Sequence, residues 1–148
     1  MDKSKIIAQL NRLLVLNKDA QKGYTELGNI SQDVEMKRWL FDHAKMRATF
    51  VRQLEKEIRF MDGNPADSSS LLSELHRFWM DLKNKVTSDD IGIVIDEAMR
   101  GEQKALEDFK DVLASTDMPE NLRRMILGQY DTVRNSMKTL EQLQVIHE

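Results

Sequence analysis

Apolar residues recur at alternating steps of three and four through four long segments of this chain, a spacing that puts each set on one side of an α-helix. The first set is Ile6, Leu10, Leu13, Asn17, Ala20, Tyr24 and Leu27, and the second is Met36, Leu40, His43, Arg47, Phe50, Leu54, Ile58 and Met61. The third is Ile91, Ile95, Ala98, Glu102, Ala105, Phe109 and Val112, and the fourth is Leu122, Ile126, Gln129, Val133, Ser136, Leu140 and Leu143. Strand-like alternation is absent. With only two prolines and six glycines in the chain, the helix-breaking residues mark element ends. Helix one is predicted from Ser4 to Leu27, closed by Gly28-Asn29 in the manner of a C-cap. Ser31 is the predicted N-cap of helix two, with Asp33 and Glu35 in its first turn and Asp62-Gly63 at its end. Helix three is predicted to end near Leu113, and helix four to carry Pro119 in its first turn.

The second and third seams are separated by GNPADSSS and LLSELHRFWMDLKNKVT. In the latter, Leu71, Leu75, Phe78, Trp79 and Leu82 form a wide apolar face. This stretch is predicted to be a short crossover helix lying on the bundle as a lid, with His76 and Trp79 on one of its faces. Short turns within each half and a long connection between halves specify an all-α, four-helix bundle with one crossover, its central helices parallel, as a single domain over residues 1–148. The nine methionines fall largely on or beside the seams, as core filler does.

Composition removes several classes of chemistry. The chain has no cysteine, which excludes disulfides, thiolate nucleophiles and cysteine-ligated metals. Twenty-two basic and 25 acidic residues, net −3, are spread along the chain and give no electrostatic case for nucleic acid. No apolar run approaches a membrane span, and the first residues lack the pattern of a signal peptide, so no membrane association and a cytoplasmic setting are expected. Gly-rich phosphate loops and Ser/His/Asp sets are absent, and no enzymatic activity and no cofactor are expected. Lys37-Arg38 and Arg123-Arg124 read as solvated faces, and Glu120 with Arg124 or Asp81 with Lys85 as helix-surface pairs.

Each seam is nevertheless interrupted near its middle. Antiparallel hairpins and parallel central helices bring Asn17 level with His43, Arg47 near the height of Glu102, and Glu102 between Gln129 and Val133. Two-metal four-helix bundles place their ligands at this depth, one Glu from each of two helices and a Glu-x-x-His from each of the other two. Here Leu40 stands three residues before His43, and helix four has no histidine before His147, which Gln144 precedes at that spacing. A permanently charged guanidinium at the same level cannot ligate a cation. No metal site is therefore expected. Asn17, His43, Arg47, Glu102 and Gln129 are read as a buried structural layer in which Glu102 pairs with Arg47.

The segments ELHRFWMDLK, EAMRGE and GQY, in this order, resemble an uncharacterised bacterial family of ferritin-like four-helix-bundle proteins, a domain of unknown function. The matching parts are Leu75 to Lys83, Glu97 to Glu102, and Gln129 with Tyr130, and the similarity extends from Ile6 to Leu143. Where members often carry a histidine late in helix four, this chain has Met137. The resemblance implies a ferritin-like fold, a bacterial cytoplasmic setting and an unassigned role, stress response being one candidate, and it supplies no catalytic residues. The expectation is a non-enzymatic bundle that works through protein–protein contact or self-association. The alternative is a degenerate metal- or small-ligand-binding protein using Glu102 and His43 with Glu97.

Overall fold

A computed structural model of the chain describes residues 2–67, 91–115 and 117–147. The predicted crossover helix with His76 and Trp79, and the Asp81–Lys85 pair, lie outside the described residues. The described residues form four helices: α1 (Lys3–Ile30), α2 (Val34–Phe60), α3 (Ile91–Leu113) and α4 (Glu120–Ile146). Every seam position of α1 and α4 is buried, as are those of α3 from Ile95 to Val112. Met36 is fully buried, and Met46, Met61, Met99 and Met125 pack against the core, as filler.

The ends of the first hairpin differ from expectation. Gly28 does not close α1 but is buried within it, and the helix continues to Ile30, with Ser31 N–H bonded to Leu27 O at 2.9 Å. A Cβ on Gly28 would lie 2.6 Å from Phe41 Cε1, so glycine is required for the close approach of α2 and not for a turn. Ser31 is accordingly the C-cap of α1. The N-cap of α2 is Asp33, whose carboxylate accepts from Met36 N–H at 2.8 Å. At its far end α2 closes with Asp62 at φ 60°, and Asp62 N–H bonds to Arg59 O and Gly63 N–H to Ile58 O, both at 2.9 Å. This is the Schellman pattern, with aspartate in the left-handed position that glycine usually takes.

Pro119 is the N-cap of α4, one residue outside the helix. Arg123 is not a solvated charge. Its guanidinium donates to Leu113 O at 2.6 Å and to Ser115 O, capping the carbonyls that α3 leaves at its C-terminus. Glu120 and Arg124 form the expected surface pair at 3.3 Å.

Side-chain links fix the helix directions. A short turn joins α1 to α2, and Asn17 meets Arg47, so these two helices are antiparallel. Arg12 of α1 reaches Asp108 and Asp111 of α3, whereas Tyr24, further along α1, reaches Glu102, earlier in α3. Helices α1 and α3 are therefore antiparallel, which makes α2 and α3 parallel. A parallel central pair is the arrangement of a four-helix bundle with one crossover.

Candidate functional site: a buried polar layer

Glu102 projects from α3 toward α2 at mid-bundle because it occupies an inward seam position between Ala98 and Ala105. Its Oε1 accepts from Arg47 Nη2 at 2.6 Å, and both side chains are 1% exposed. Arg47 Nη1 donates to Asn17 Oδ1 at 3.0 Å, and Asn17 Nδ2 donates to Leu13 O at 2.8 Å within α1. Tyr24 completes the set by donating its hydroxyl to Glu102 Oε1, while its ring lies 6.0 Å from the Arg47 guanidinium carbon. Three helices thus converge on one ion pair. The small residues Ala98, Gly101 and Ala105, all buried on α3, flank the site without occupying the room these long side chains need.

Of the five residues expected in this layer, Asn17, Arg47 and Glu102 are joined directly. His43 is not. Its Nδ1 lies 2.7 Å from Trp39 O and its ring stacks on the Trp39 indole at 3.8 Å, half-buried at the edge of the core. Helix α2 is turned so that Trp39 and Ala44 are buried where the seam pointed to His43. Burial is the main cause that holds the His43 imidazole below its ordinary pKa, opposed by its bond to the Trp39 carbonyl, so the neutral form donating through Nδ1 is favoured. Gln129 is buried, but its amide donates to Gln53 Oε1 at 2.9 Å and not to Glu102.

Tyr24 is the member that the sequence reading missed. Its position was counted as apolar because a tyrosine ring fills a seam, yet its hydroxyl crosses to α3. Complete burial raises its pKa well above the ordinary value, and the Glu102 charge raises it further, so the phenol stays protonated and donates. Tyr24 also meets Trp39 edge to face at 5.5 Å, which joins the polar layer to the Trp39–His43 stack. Asp19, which is not one of the seam residues, is also buried on α1.

The donor set does not suit a metal ion. The cation nearest Glu102 is a guanidinium, which occupies one of its two carboxylate oxygens and repels a second positive charge. At this depth α4 contributes Gln129, Val133 and Ser136, none of them a carboxylate or imidazole. Glu97 binds Arg100 on its own helix at 3.0 Å. Among the described residues no three His, Asp or Glu side chains come together as a ligand group. The second oxygen of Glu102 and the indole nitrogen of Trp39 are buried without a hydrogen-bond partner there.

Residues 5–115 match a family model described as a domain of unknown function, DUF2383. The chain belongs to the DUF2383 family. This family bears out the likeness carried by the EAMRGE segment. No curated protein matches this chain. Among solved structures, the chain is similar to a two-domain protein from Anabaena variabilis ATCC 29413 that contains DJ-1/ThiJ/PfpI-like and ferritin-like domains. The TM-score is 0.80 at 17% identity, over 100% of this chain and 41% of that one. The fold of this DUF2383 member is therefore all-α and ferritin-like, and the chain spans less than half the length of the protein it resembles. No helix among the described residues is long and apolar enough to cross a membrane.

Proposed function

We propose that this ferritin-like domain is a non-enzymatic module that acts through protein–protein contact in a bacterial cytoplasmic setting, the bacterial part resting on the family resemblance. One observation carries the reading: Arg47 occupies mid-bundle and neutralises Glu102 through one of its oxygens, and this pair with Asn17 holds three helices in register. A buried ion pair of this kind contributes little net stability but penalises any register that separates its members. The outer surface is then left to do the work. In the Anabaena protein a domain of this fold shares its chain with a second folded domain, which supports a module that works in company.

A second reading, a degenerate site for a metal or small ligand, is favoured by the unpartnered Glu102 Oε2. Metal analysis of protein purified without chelators separates the two. The contact reading predicts no stoichiometric iron, manganese or zinc. Stoichiometric metal that disappears in Glu102→Ala would overturn it.

A further inference from the structure

The contact reading leaves open which surface is used, and α4 carries a feature that the packing of the described residues does not use. Gly128 sits mid-helix and exposed, and a Cβ added there would meet nothing within 4 Å. Unlike Gly28, it makes room for no neighbour among the described residues. Glycine in an exposed helix interior is destabilising relative to alanine, so its monomer gains nothing from it. Beside it Leu127 is 45% exposed, one of the few large apolar side chains that the described residues leave open.

We propose that the outward face of α4 is a symmetric self-association surface, on which two copies of this chain pack antiparallel about an axis between Leu127 and Gly128. This inference rests on the contact reading and names its partner. A twofold axis there sets Leu127 of each copy over Gly128 of the other, a side chain entering the space that the missing Cβ leaves. Arg124 and Asp131 lie on the same face, two helical turns apart and equidistant from the axis, and both are exposed. The rotation brings Arg124 of one copy opposite Asp131 of the other, twice. One turn further out Glu120 faces the region of Arg134, so the outer positions also pair opposite charges. A parallel arrangement would set each charge against its own kind, which selects the antiparallel one. Among the described residues Arg124 pairs with the exposed Glu120 alone, at 3.3 Å, and is available to a second chain. A single pair of helices falls short of the ~1,200 Å² typical of stable interfaces, so the association is concentration-dependent.

Sedimentation velocity over a dilution series of the full chain tests this. The wild type should shift from dimer toward monomer on dilution, and Arg124→Glu and Asp131→Arg should each be monomeric at concentrations where the wild type is not. An equimolar mixture of these two single variants should recover the dimer, because every facing pair is then opposite in sign. Gly128→Gln should abolish association while raising the melting temperature measured at concentrations where the wild type is monomeric, which separates loss of contact from loss of fold. A wild type that is monomeric throughout, or a dimer indifferent to these substitutions, overturns the proposal. Either result leaves the contact reading standing, since metal analysis tests that separately.

Discussion

Replacing Glu102 with leucine removes the acceptor of a 2.6 Å charge-assisted bond and leaves Arg47, 1% exposed, with Asn17 as its remaining hydrogen-bond partner within the layer. Breaking a buried pair from one side costs about 3–5 kcal/mol, because the surviving charge stays out of water. Tyr24 also loses Glu102 as acceptor, a further ~1 kcal/mol or more. Against a domain stability of about 5–15 kcal/mol this is a large fraction. Arg47→Met should be similarly damaging. The double variant Glu102→Leu/Arg47→Met removes both charges, and its loss should fall short of the sum of the single losses by at least ~2 kcal/mol. Recovery stops short of the wild type, since Asn17 Oδ1 loses its bond from Arg47 and the Tyr24 hydroxyl loses Glu102 as acceptor; adding Tyr24→Phe should return part of the remainder. Urea unfolding with unchanged m-values measures each term. Strictly additive losses would mean that the two side chains do not meet, and the parallel register of α2 and α3 would fall with them.

Other outcomes follow from the same geometry. Tyr24 has a folded pKa well above 10.0, so its contribution is fully present below the unfolded value and is lost as pH rises beyond it. Stability above about pH 10 should fall by up to ~1.4 kcal/mol per pH unit from this group, and pH-dependent urea unfolding of Tyr24→Phe should show a shallower alkaline loss. The two glycines should respond oppositely to alanine. Gly28→Ala forces the Phe41 ring away from a 2.6 Å contact and should cost about 1–3 kcal/mol, whereas Gly128→Ala meets nothing and should add about 0.5–1 kcal/mol, both read by thermal melting at low protein concentration.

The bundle and its register were legible because periodicity needs only residue type and spacing. The seams of α1 and α4 were buried at every position, and the same arithmetic that set Arg47 near Glu102 predicted their contact. What escaped notice depended on rotation and reach. Glycine serves both as a C-cap and as a point of close approach, and only the position of Phe41 distinguishes these roles at Gly28. A tyrosine on a seam reads as apolar, although its hydroxyl spans the gap to a neighbouring helix. His43 was misplaced by a small rotation of α2 that buries Trp39 and Ala44, and a seam drawn in steps of three and four cannot resolve such a rotation. Gln129 was placed at the right depth, but its partner is on α2, where Gln53 was not a seam residue. Arg123 carried no signal of its own, since a capping arginine and a solvated one look alike until the end of α3 is positioned beside it.

The central claim is that mid-bundle is a structural ion-pair layer and not a ligand site. A ligand that binds only the folded state raises its stability by about 2.7 kcal/mol at a hundredfold excess over its dissociation constant. The most direct measurement is therefore the melting temperature of the chelator-treated protein as manganese, iron(II) or zinc is added, for the wild type and for Glu102→Gln. The layer predicts no saturable rise with any of the three metals. A saturable rise in the wild type that is absent in Glu102→Gln would contradict it.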